Sequence, residues 1–60
     1  MTRISARLEL RNKNDKIVFG RSMYGENAEI GDLVLRFFDI VPEYVNQAEC
    51  NLKILDVYHY

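Results

Sequence analysis

Apolar and polar positions alternate strictly at the start of the chain. Ile4, Ala6, Leu8 and Leu10 fall on one side, and Arg3, Ser5, Arg7, Glu9 and Arg11 on the other. Period two over nine residues predicts a strand with one buried face. Asn12-Lys13-Asn14-Asp15 interrupts it with residues whose short polar side chains bond locally and tolerate left-handed backbone. Lys16 to Tyr24 follows, with the strand formers Ile17, Val18, Phe19 and Tyr24. The two runs predict a hairpin over residues 2–24. Pairing Leu10 with Ile17 sets Leu8 opposite Phe19 and Ile4 opposite Met23. It also sets Ala6 opposite Arg21, aiming a guanidinium at the core, so a bulge is expected near Gly20 to reset the phase.

Gly25 is expected to end this strand, and the period then changes. Ile30, Leu33, Val34, Phe37, Phe38 and Val41 sit at helical spacing, with Glu29, Asp32, Arg36 and Asp39 on the opposite side. This predicts an amphipathic helix over 27–41, capped by Asn27 and with Glu26, Glu29 and Asp32 near its positive end. Gly31 costs about 1 kcal/mol against alanine inside a helix, which would be explained by close approach of the sheet. Pro42 stops the helix at Ile40 or Val41. Pro42 to Cys50 reads as a connection with one helical turn at Pro42-Glu43-Tyr44-Val45.

A final strand is expected over 51–60. Leu52, Ile54, Tyr58 and Tyr60 occupy one phase, and Leu55, Val57 and His59 the other. Apolar groups on both faces suggest a central strand or one covered by a partner. The fold class is therefore α+β, in the order ββαβ: a three-stranded, mainly antiparallel sheet with one amphipathic helix packed on one face. Residues 1–60 form one compact domain, and the second face of the sheet is left uncovered.

Composition agrees with a folded chain: 48% of residues are hydrophobic and 28% charged. Sixty residues bury about 60% of the surface an unfolded chain exposes, so stability is marginal and a staple or partner is favoured. Disulfides do not supply it, because Cys50 is the only cysteine. A lone thiol, an N-terminal segment that alternates rather than running apolar, and the absence of a long apolar stretch point to a cytoplasmic protein.

Charge is distributed unevenly. Residues 1–25 hold six basic side chains (Arg3, Arg7, Arg11, Lys13, Lys16, Arg21) against Glu9 and Asp15. Residues 26–50 hold six acidic ones (Glu26, Glu29, Asp32, Asp39, Glu43, Glu49) against Arg36, and the whole chain carries −1. A basic hairpin thus faces an acidic helical half.

Residues for catalysis are sparse. His59 is the only histidine; its spacing from Cys50 matches no familiar metal site, and a Cys50–His59 nucleophile pair, arithmetically possible, is set aside because so small a fold offers little volume for a pocket. Glu26, Glu29 and Asp32 lack a calcium-loop pattern, and the glycines form no phosphate loop. No enzyme activity, cofactor or metal is expected.

The expected role is a small regulatory or inhibitory protein that binds a protein target through an acidic face of Glu29, Asp32, Asp39, Glu43 and Tyr44. The size is of the kind common among phage and bacterial accessory genes. Self-association as a homodimer through Val18, Leu55 and Val57 would cover the bare sheet face. The alternatives are a nucleic-acid-binding module using Arg3, Arg7, Arg11, Lys13 and Lys16, and a structural subunit of a larger complex. A net negative charge, with a pI of about 5.7, weighs against nucleic acid.

Overall fold

The computed structural model describes residues 2–60; Met1, formally the start of the expected domain, lies outside the described residues. Three strands, β1 (Arg3–Arg11), β2 (Ile17–Glu26) and β3 (Asn51–His59), form one antiparallel sheet in the order β2-β1-β3. One helix, α1 (Ile30–Ile40), packs on one face over β1 and β2, and a single 3₁₀ turn (Gln47–Glu49) precedes β3. The α+β arrangement with a helix on one face is the one the sequence predicts.

The strand with strict alternation is the central one. Ile4, Ala6, Leu8 and Leu10 are all buried beneath the helix, where they meet Leu33 and Phe37. Leu33 and Phe37 are fully inaccessible, and the Phe37 ring lies 5.5 Å from that of Phe19. That tilted pair occupies the favourable centroid range for aromatic contacts.

The hairpin register differs from the expected one. Leu10 pairs with Phe19, Leu8 with Arg21, Ala6 with Met23 and Ile4 with Gly25. The irregularity lies between Leu10 and Arg11, where Arg11 pairs with Ile17 and Val18 is the extra residue, and not at Gly20. Turn chemistry sets this. The Asn12 side-chain oxygen accepts the Asn14 and Lys16 backbone N–H groups at 2.9 and 3.1 Å, and Asp15 takes a left-handed φ of 62°. The turn closes at Asn12 and Lys16, and the bulge then turns Phe19 inward. Arg21 does share the core-side face, opposite Leu8, but β2 is an edge strand. Its guanidinium escapes to solvent across the Phe19 ring, 4.5 Å from the centroid, and donates to the Gly20 carbonyl at 2.8 Å.

Gly25 does not end β2; it is buried inside the strand under the start of the helix. A β-carbon there would meet the Ala28 Cβ at 2.9 Å and Leu33 Cδ2 at 3.1 Å. Close approach of helix and sheet therefore belongs to Gly25. Gly31, where it was expected, has nothing within 4 Å. Asn27 is not the cap either. It turns the chain with φ 53° and donates its N–H to the Thr2 carbonyl, leaving Glu29 as the N-cap. Asp32 accepts the Glu29 N–H at 2.8 Å, the reach-back half of a capping box. At the other end Val41 leaves the helical region ahead of Pro42, and Val45 closes the following turn onto the Pro42 carbonyl at 3.1 Å.

The last strand is an edge, not the centre, and it carries its own interruption. Ser5 pairs with Tyr58 but Arg7 with Leu55, and Asp56 sits between them at a left-handed φ of 49°. The extra residue swaps faces. Leu52, Ile54, Val57 and His59 share the helix side of the sheet, and Lys53, Leu55, Tyr58 and Tyr60 the open side. The bulge brings Val57 to the face of Leu52 and Ile54, and Leu55 stays on the open side.

Candidate functional site

Two surfaces hold the predicted binding residues, and they lie on opposite sides of the molecule. The first is the outer face of α1 with the turn after it. One turn of helix separates residues three or four apart, so Asp32, Leu35 and Asp39 form a row pointing away from the sheet. All three are exposed, and Leu35 stays 69% accessible. Glu43 and Tyr44 follow Pro42 and are exposed as well, with Tyr44 84% accessible. Glu29 stands exposed at the helix start. An open cleft of ≈ 580 Å³ lies beside Tyr44, walled by Val41, Pro42, Val45, Asn46 and Gln47. All five residues of the expected acidic face are therefore exposed. Leu35 and the half-exposed Ile40 join them, although neither belongs to the core stripe. Leu35 lies one turn from Asp32 and from Asp39 along the helix, and a helical wheel puts it at the border between Asp39 and Phe38.

The second surface is the open face of the sheet. Arg3, Ser5, Arg7, Glu9 and Arg11 line its central row. Glu9 is only 5% exposed, although its neighbours are charged. Arg7 Nε donates to it at 3.1 Å, and Arg11 donates through Nε at 3.1 Å and Nη2 at 2.7 Å. Arg11 Nη1 also donates to Asp15 at 3.2 Å. Gly20, opposite Glu9, leaves room for this ladder, because a β-carbon there would lie 2.9 Å from an Arg7 nitrogen. The Arg11 hydrogen bond, with help from Arg7, holds the Glu9 carboxyl below the usual glutamate range despite opposing burial; the same bond raises Arg11. Two of the three arginines in the basic stripe are thus committed to an internal carboxylate. Lys13 and Lys16 are exposed in the turn, beyond the end of the ladder.

The other end of the open face is aromatic. Tyr24 and Tyr58 flank Ser5 from β2 and β3, between the positions of Arg3 and Arg7. The Tyr60 hydroxyl lies 3.1 Å from Ser5 Oγ, and the Tyr24 hydroxyl donates to Glu26 at 3.2 Å. Partial burial, followed by the Glu26 charge, raises the Tyr24 pKa. Along the first strand no aromatic interleaves the arginines; the sheet supplies them from neighbouring strands.

Val18, Leu55 and Val57 are not brought together. Val18 is at the hairpin bulge on β2, two strands from β3, while Leu55 and Val57 occupy opposite faces of β3. Cys50 is half-buried against the core and His59 is exposed near the end of β3. Among the described residues, no three His, Cys, Asp or Glu side chains gather as a metal-binding group, and no helix is long and apolar enough to cross a membrane. No protein-family model, curated protein or solved structure matches the chain.

Proposed function

We propose that this protein is a small non-catalytic regulatory or inhibitory domain that docks onto a protein target through the outer face of α1 and the Pro42–Glu49 connection. The exposure of Leu35 and Tyr44 within an otherwise acidic row carries the reading. Both stand largely in water, Leu35 69% and Tyr44 84% exposed. An apolar or aromatic anchor surrounded by charge is the usual anatomy of an interface hot spot with a polar rim. Asp32, Asp39 and Glu43 steer a basic target surface to the site, and the cleft beside Tyr44 accepts a side chain from it.

A second reading uses the open sheet face for single-stranded nucleic acid. Tyr24, Tyr58 and Tyr60 around Ser5, beside Arg3 and Arg7, supply stacking groups with cations near them. The Arg7–Glu9–Arg11 ladder weakens it, since those cations already face a carboxylate.

The test is capture from nuclease-treated lysate by the immobilised protein, followed by titration of the retained partner after purification. A protein kept by the unaltered chain and by the Arg3→Ala/Arg7→Ala/Arg11→Ala variant, but lost by Leu35→Ala/Tyr44→Ala and by Asp32→Lys/Asp39→Lys/Glu43→Lys, supports the helix face. Loss of a hot-spot pair weakens binding by at least about 2 kcal/mol, or roughly 30-fold. Retention by both helix-face variants rules that face out. Binding that vanishes with nuclease and with the arginine variant moves the assignment to the sheet.

A further inference from the structure

We infer that β3 is the interface of a symmetric homodimer, in which the free edges of two copies pair antiparallel into one six-stranded sheet. The helix packs mainly over β1 and β2, so the helix side of β3 is covered only at Leu52, which packs against the core, and Ile54 and Val57 are each 43% exposed. No charged residue stands in the row Leu52, Ile54, Val57. The opposite edge differs, because Arg21 sits exposed in the core-side row of β2. A charged side chain there is a standard obstacle to edge pairing.

The bulge at Asp56 selects the occupant. Tyr60 N–H donates to the Arg3 carbonyl at 3.0 Å, and Asn27 N–H donates to Thr2 on the other side of β1. These bonds fix the parity of the ladder: odd-numbered residues of β1 bond toward β3 and even-numbered ones toward β2. On β3, Asn51, Lys53, Leu55 and Tyr58 therefore bond inward, while Leu52, Ile54, Val57 and His59 present their backbone groups to the free edge. A regular strand cannot follow this edge, because the face and bonding phases both slip at Asp56. A strand with the same slip at the same place can, and a second copy supplies it.

With the two-fold axis between Leu55 and Asp56, Ile54 pairs with Val57 of the partner subunit and Leu52 with the partner's His59. Both pairs match in backbone phase and in face. Lys53 falls opposite the partner's Tyr58, both on the open side of the sheet. Each subunit keeps its outer helix face clear, so the dimer is independent of the proposed target site.

Sedimentation velocity at about 100 μM, where a micromolar dimer is nearly complete, should show a dimer for the unaltered chain and a monomer for Ile54→Lys/Val57→Lys. Circular dichroism confirms that the variant stays folded. In a Cys50→Ser background, Ile54→Cys/Val57→Cys should form a covalent dimer on mild oxidation, whereas either cysteine alone should not. Identical positions are offset by three residues, about 10 Å along the strand, too far for a disulfide. A monomeric unaltered protein, a dimer that survives the lysines, or single cysteines that link as readily as the pair would each overturn the inference. None of these readouts involves the target.

Discussion

Adding one methyl group at two glycines should change stability in opposite directions. In Gly25→Ala the new Cβ lands 2.9 Å from the Ala28 Cβ, an atom anchored directly to the backbone, and 3.1 Å from Leu33 Cδ2 and Arg36 Nη1. The two longer side chains can turn aside, but Ala28 can yield only if the start of the helix lifts off the sheet. Overpacking of this kind costs typically about 1–3 kcal/mol. The general gain from replacing a strand glycine, about 0.5–1 kcal/mol, offsets only part of it. In Gly31→Ala the methyl enters open space, the glycine φ is not in the left-handed region, and the helix gains up to about 1 kcal/mol. The two variants should therefore differ by roughly 1–3 kcal/mol. For a chain this small, with a urea slope of about 1 kcal/mol/M, that separates their urea midpoints by about 1 M or more. Urea melts followed by circular dichroism at one pH and one protein concentration measure it. Equal stabilisation by both substitutions would refute the placement of the helix over Gly25.

Phe37→Ala should remove the buried ring that meets Phe19 and cost about 3–5 kcal/mol. In a chain of marginal stability, that leaves little or no folded signal by circular dichroism at 25 °C. Glu9→Gln should lower the thermal midpoint at neutral pH, because two guanidinium groups lose their carboxylate. The Glu9 carboxyl is depressed in the fold, so its contribution is fully present above the ordinary glutamate pKa of about 4.3. It is lost as pH falls through the lower folded value, so the unaltered protein should lose stability over that acid range and the glutamine variant lose less there. Equal acid sensitivity in melts from pH 2 to 7 would show that the ladder does not stabilise the fold.

Periodicity along the chain was enough to assign the element types and the core stripe. Period two over Arg3–Arg11 and helical spacing from Ile30 to Phe38 each place apolar groups on one face, and burial of that face leaves few arrangements for sixty residues. Pro42 fixed the helix end for a local steric reason. The outward acidic row was legible too, since helical spacing alone puts Asp32 and Asp39 opposite the stripe. Register was not legible. It depended on Asn12 closing the turn and on bulges at Val18 and Asp56, and a single inserted residue reverses every face beyond it. Strand order was likewise settled only in three dimensions, when the long connection carried β3 to the far side of β1 and made it an edge. The surfaces followed from that order. Tyrosines distant in the chain met around Ser5, Glu9 drew Arg7 and Arg11 out of the basic stripe, and the helix settled mainly over two strands and left Ile54 and Val57 of the third half exposed. Each depends on which strands are neighbours, and period along a chain carries no information about neighbours.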